Sequence, residues 1–183
     1  IKVTYATHLN LGEKNIQNEN FILVGNTKEF YFGIEKMYLL DSDTYKAKDG
    51  IDFNSNSVIF NQRIIKTDGK INVFAKAVDL MIRYEETEPI KWVLYGDTKT
   101  ISGIKCQLAT TNRFGRRWYA FFAKDYTQQI GPYKFSGLPG LILELYDIRK
   151  DYHFVATKIE KYTDDFDFNL NKFTLMSKKN YLK

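Results

Sequence analysis

The sequence is short of the residues that most often carry chemistry or staple a fold. Among 183 residues there is one cysteine (Cys106), there are two histidines (His8 and His153), and there are only three prolines and two tryptophans. A lone cysteine excludes an intrachain disulfide and any zinc or iron–sulfur site built from several thiolates. Two histidines exclude a three-histidine metal centre within one chain. No apolar run approaches the roughly 18 residues that a membrane-crossing helix needs, so no transmembrane segment is expected. No cofactor and no metal is assigned. Carboxylates, hydroxyls, one thiol and two imidazoles are the chemistry that remains.

Aromatic residues are abundant instead. The chain holds 13 Tyr and 14 Phe, and aromatics make up 16% of it. Such side chains fit a pleated, half-buried surface, which points to sheet. At 44% hydrophobic and 27% charged, the composition is that of a folded globular chain, read as a single domain over residues 1–183. The net charge of +5 is spread along the chain in pairs such as Arg116-Arg117 and Lys178-Lys179. Dispersed charge of this kind describes a solvated surface rather than a nucleic-acid footprint. Arg116-Arg117 beside Trp118-Tyr119 has the ingredients of a base-stacking site, but a hairpin with ordinary cross-strand packing explains the block as well, and no nucleic-acid partner is expected. The first residue, Ile1, is read as following a removed signal peptide or a cloning boundary. The abrupt end at Lys183 leaves room for further chain.

Periodicity predicts strand after strand. Ile1 to Thr7 alternates apolar and polar residues, and Phe21 to Val24 is a second short strand. Asn10 to Asn20 reads as loop. Phe30, Ile34, Met37 and Tyr38 recur at helical spacing, predicting a short helix within Glu29–Leu40. Asp41 to Asn56 reads as a polar loop. Beyond Ser57 the strands Val58–Ile65, Ile71–Ala77, Leu80–Tyr84, Ile90–Tyr95, Ile104–Ala109, Trp118–Ala123, Leu141–Tyr146 and Tyr152–Ile159 follow one another. Asp68-Gly69 has the chemistry of a tight hairpin turn, because glycine accepts positive φ. Apolar residues on both faces of Trp118–Ala123 predict a doubly covered strand. Ser177 could cap a closing helix. The expected fold is mainly β (a β-rich α+β fold): a curved antiparallel meander, half-barrel or open barrel, with one or two short helices.

The least ordinary stretch runs from Ile130 to Leu143. It contains Gly131, Pro132, Phe135, Gly137, Leu138, Pro139, Gly140, Leu141 and Ile142. Pro139 presets φ and Gly140 can take the positive φ that follows, so Gly137 to Gly140 predicts a type II turn. Apolar neighbours on both sides predict that this turn is buried, a structural element or a contact loop. Gly137-Leu-Pro-Gly-Leu-Ile142 also resembles the signature of the GLPGLI family. Trp92, Lys99 to Cys106, Gly115 to Ala120 and Gly131 to Phe135 stand in the family's order, over roughly residues 57–160. The Phe121-Phe122 pair departs from the family pattern. The resemblance implies an exported protein with a signal peptide, periplasmic or outer-membrane-associated in a Gram-negative envelope. It supplies no catalytic residues.

Each candidate for chemistry has a plainer reading. Cys106 could be a nucleophile with His153 as its base, yet it alternates with Ile104 and Leu108 as a small buried hydrophobe would. Glu85-Glu86 with Glu88, and Asp164-Asp165 with Asp167, offer oxygen ligands for calcium without the spacing of a calcium loop. The Gly131 and Gly137–Gly140 turns lack the Lys and Ser/Thr of a phosphate loop. The expected function is a non-catalytic cell-envelope module, linked to outer-membrane transport, that holds an apolar ligand, a peptide or a partner protein in the concavity of its sheet. The alternative is a cysteine-dependent peptidase or peptide-processing hydrolase using Cys106 and His153. A structural subunit of a transport complex is a third reading.

Overall fold

The computed structural model describes residues 1–12, 15–44, 60–77, 80–87, 89–168, 170 and 174–175. The Ser177 cap, Glu88 and most of the Asp41–Asn56 loop lie outside them. Among the described residues one short helix accompanies twelve strands: β1 Lys2–Asn10, β2 Ile16–Gly25, β3 Phe30–Ile34, α1 Glu35–Asp41, β4 Arg63–Thr67, β5 Lys70–Ala77, β6 Leu80–Glu86, β7 Val93–Ile101, β8 Ile104–Arg113, β9 Arg116–Ala123, β10 Leu141–Asp147, β11 Tyr152–Glu160 and β12 Thr174–Leu175. All belong to one sheet in the order β12-β6-β5-β4-β3-β2-β1-β11-β10-β9-β8-β7. Among the described strands only the β12–β6 pair is parallel. The outer strands β12 and β7 do not pair with each other, so the sheet is open, as expected for a mainly β chain.

β1 joins two meanders, β2–β6 on one side and β7–β11 on the other. Its alternation is clean: Val3, Tyr5, Thr7 and Leu9 are buried, while Ala6, His8 and Asn10 are exposed. The helix expected within Glu29–Leu40 is half strand. Phe30, Phe32 and Ile34 share one face at period two, and pairing to β2 and β4 overrides the helical spacing, leaving a helix only from Glu35. The loop expected over Asn10–Asn20 is shorter, because β2 already begins at Ile16. Asp68 and Gly69 both adopt positive φ, the conformation of the expected tight turn, between β4 and β5.

The register lays Val3, Leu23, Phe32, Ile64, Val73 and Tyr84 in one row across six strands, all buried on the first face. Fully burying side chains of this kind contributes about 1.5–3 kcal/mol each. Residues 124–140 return over this face toward the β9 end. Ile130, Phe135 and Leu138 are fully buried there, Phe135 packs 4.6 Å from Trp118, and Trp92 Nε1 donates to the Ser136 carbonyl at 2.9 Å. Among the described residues the second face is covered over β2–β5 only. Ile22, Val24, Tyr31, Ile65 and Phe74 pack there beneath α1 and Tyr162, Phe166, Phe168 and Leu170, with Phe168 stacked 4.4 Å from Tyr31. α1 is anchored by buried Asp41, which accepts hydrogen bonds from Arg63 Nε and Tyr31 Oη, each at 2.8 Å. That cover does not extend over β9, whose Arg117, Tyr119 and Phe121 are half-exposed rather than doubly covered.

The turn at Gly137–Gly140 is tighter than type II. The Gly140 N–H donates to the Leu138 carbonyl at 2.8 Å, closing a three-residue turn around Pro139. Leu138 and Gly140 are buried, while Gly137 and Pro139 are exposed. Gly140 has φ +153°, and a Cβ there would strike the Ala123 carbonyl oxygen. Gly137 has φ +87° with open space around it. Gly140→Val should therefore cost at least about 3 kcal/mol, combining backbone strain with the clash. Gly137→Ala should cost only the left-handed strain of about 1–2 kcal/mol. Urea denaturation of the two variants checks the order, and equal losses would refute it.

Candidate functional site

The uncovered part of the second face carries a polar and aromatic row. Direct cross-strand register places Asn18, His8, His153, Tyr146, Tyr119 and Thr110 side by side on β2, β1, β11, β10, β9 and β8. The Tyr119 and Tyr146 rings are stacked at 5.3 Å and 7°. His153 meets Tyr146 edge-on at 5.6 Å, and the Arg117 guanidinium lies 5.9 Å from the Tyr119 ring. These contacts hold the His153 imidazole in place from one side.

Glu144 holds it from the other. The carboxylate is 4% exposed, yet both of its oxygens are engaged. His153 Nε2 lies 2.8 Å from Oε1, and Lys99 Nζ lies 2.5 Å from Oε2. An ionised carboxylate only accepts, so Nε2 carries the proton and Nδ1 the lone pair. Burial alone would raise the Glu144 pKa. Hydrogen bonds from His153 and Lys99, with their charges, override burial and leave it below the usual carboxylate value. A bulge positions the group: register shifts between Ile142 and Glu144, placing the extra residue Leu143 against β9. Lys99 reaches in from β7, the exposed outer strand.

Cys106 sits near this cluster without joining it. It is 1% exposed and stands opposite Lys99 in the β7–β8 register. Its Sγ donates to the Ile104 carbonyl at 3.5 Å. Burial, then the Glu144 and Asp125 charges, push its pKa to about 11, against the lowering effect of Lys99. The two residues expected to act together thus neighbour the same carboxylate, but the hydrogen-bond partner of His153 is Glu144. Sequence reasoning missed Glu144 and Lys99. One signal was available: Glu144 is the only charged residue within the apolar run Leu141 to Tyr146.

The other candidates serve the fold. Arg116 is clamped by Asp147 at 2.7 Å and Asp151 at 2.5 Å, while Arg117 bonds Thr110 and Tyr95. The basic-aromatic block is therefore tied into its own sheet. Glu86 pairs with Arg113 at 3.1 Å. Among the described residues no three His, Cys, Asp or Glu side chains converge on a common point, and no helix is long and apolar enough to cross a membrane.

Fold and site together define an open, twelve-stranded β scaffold with a carboxylate–imidazole pair on its uncovered face. Two crystal forms of PNGF-II contain the same fold. The first gives a TM-score of 0.70 at 15% identity, covering 99% of this chain and 32% of that one. The second gives 0.66 at 16% identity, covering 99% and 31%. The chain thus spans about a third of PNGF-II. No family model and no curated protein matches it.

These findings correct the sequence reading in two places. The GLPGLI assignment falls, because no family model matches and the fold is that of about a third of PNGF-II. Six residues around a proline turn report a buried loop, which unrelated chains can share. The non-catalytic envelope role rested on that assignment and on the shortage of catalytic residue types, and it falls with the assignment, the solved structure of like fold being PNGF-II.

The thiol's surroundings predict its reactivity. With its pKa near 11, only about one molecule in ten thousand carries the thiolate at pH 7. Labelling of the folded protein by a thiol reagent should be slow at pH 7 and rise about tenfold per pH unit toward pH 10. Unfolding in denaturant should abolish the delay. Fast labelling at pH 7 that disappears in His153→Gln would instead make Cys106 the nucleophile.

Proposed function

We propose that this chain is a domain of an amide-bond hydrolase, with Glu144 and His153 as its acid–base pair. The observation that carries the reading is a buried carboxylate whose oxygens are divided between Lys99 and a half-exposed imidazole. The structural likeness to PNGF-II supports amides as the substrate class, and the activity is proposed for this chain rather than carried over with the fold.

The geometry suits general acid–base catalysis. His153 Nδ1 would take a proton from water as the water oxygen adds to the amide carbon. The same proton, returned to the nitrogen, lets the C–N bond break into a carboxylic acid and an amine. Glu144 accepts the Nε2–H throughout, fixing the tautomer and stabilising the imidazolium. Lys99 keeps Glu144 ionised. Chemistry is assigned to the imidazole rather than to Cys106 because the thiol is protonated at neutral pH.

A panel of peptide and side-chain amides, followed by release of amine or ammonia, tests the reading. His153→Gln should lower turnover by about 100-fold or more, the contribution typical of a positioned acid–base group. Lys99→Met should lower it less and leave the fold intact, since Lys99 stands on an exposed strand. Turnover that His153→Gln leaves unchanged would remove the imidazole from the mechanism, and no turnover of any amide would sink the proposal.

A further inference from the structure

His8 and His153 are the only histidines in the chain. They lie directly opposite each other in the β1–β11 register, on the same uncovered face. Directly opposed residues on an antiparallel pair have Cβ atoms about 4.5–5.5 Å apart. Both line one shallow pocket of about 480 Å³, together with Ala6, Asn18, Asn20 and Val155.

Each imidazole is held at one nitrogen by an oxygen. His8 Nδ1 lies 2.7 Å from Asn18 Oδ1, and His153 Nε2 lies 2.8 Å from Glu144 Oε1. An oxygen acceptor at one ring nitrogen places the proton there and leaves the other with its lone pair. His8 thereby offers Nε2 and His153 offers Nδ1. An imidazole oriented by a carboxylate or amide oxygen is the arrangement found behind metal-ligating histidines, where that partner fixes the tautomer and raises ligand basicity.

We propose that His8 and His153 form a two-imidazole site for an exchangeable divalent transition-metal ion such as Zn²⁺ or Ni²⁺. No third His, Cys, Asp or Glu converges on the pair among the described residues, so water completes the coordination and the ion exchanges with solution. Nitrogen ligands favour such ions over calcium or magnesium, which take oxygen. The site stands on the paired imidazoles and does not require the amide-hydrolase reading. If that reading also holds, the ion competes for His153 Nδ1 and inhibits the reaction.

Isothermal titration of the whole chain with NiCl₂ and with ZnCl₂ at neutral pH tests the site. One saturable ion per chain is expected, with MgCl₂ giving none. His8→Asn and His153→Asn should each weaken binding about tenfold or more, with circular dichroism confirming that each variant is folded. Glu144→Gln should weaken it about tenfold through loss of the oriented imidazole. In wild-type protein, Ni²⁺ should first broaden the imidazole proton signals of these two residues in NMR spectra. Absence of saturable binding, or an affinity unchanged in the folded double variant, would overturn the proposal. Both outcomes are read without any activity, so they fail or succeed separately from the hydrolase assignment.

Discussion

The pairing of β1 with β11 is the interaction on which the rest depends. β1 comes first in the chain, and β11 is reached only after β2 to β10 have been laid down. Without that seam, β2–β6 and β7–β11 would be two separate meanders, each with another edge to protect. Other bonds reinforce it. Tyr5 Oη donates to the Ile142 carbonyl at 2.6 Å on β10, beyond β11, and the Asn10 N–H donates to the Asp151 carbonyl at 2.7 Å. The same seam sets His8 against His153. Continuity of the sheet and composition of the candidate site are therefore one constraint, and a slip of one residue in the β1–β11 register would turn His8 to the core face.

What the sequence made legible follows from the range of the interaction. Most strands from β5 onward were readable because alternation and turn chemistry are local, and Asp68-Gly69 supplied the hairpin outright; β4, read as Val58–Ile65, is Arg63–Thr67, and β7, read as Ile90–Tyr95, is Val93–Ile101. Phe30 to Tyr38 misled because apolar residues four apart satisfy a helix and a strand equally, and only pairing with β2 and β4 decides between them. At Gly137–Gly140 the residues required a tight, glycine-dependent turn. They did not distinguish a four-residue turn from the three-residue one, which depends on how close Ala123 approaches.

The site was less legible than the fold, for a related reason. His153 could be singled out because histidine is scarce. Glu144 could not be paired with it, since the contact crosses between strands and depends on a bulge at Leu143 that no local pattern announces. Lys99 is further still, on the far side of β8 and β9 from Glu144. The resemblance built on Gly137 to Ile142 drew attention to the loop over the first face, while the polar row lies on the second.

Electrostatics ties these elements into one device. A carboxylate as buried as Glu144 would by itself take up a proton, since burial penalises the charged form. Lys99 and His153 reverse that, and the resulting negative charge does two things at once. It holds the proton on His153 Nε2, leaving Nδ1 as the basic nitrogen. It also helps burial to keep Cys106 protonated, because a second negative charge beside Glu144 is disfavoured. The same ion therefore prepares the imidazole and silences the thiol. The carboxylate thus favours the imidazole over the thiol, and Lys99 sustains that arrangement by holding Glu144 ionised. Remove its charge and Glu144 moves toward protonation, which loosens its hold on the imidazole. The thiol does not gain from the exchange, because it loses the one nearby cation that favours its thiolate.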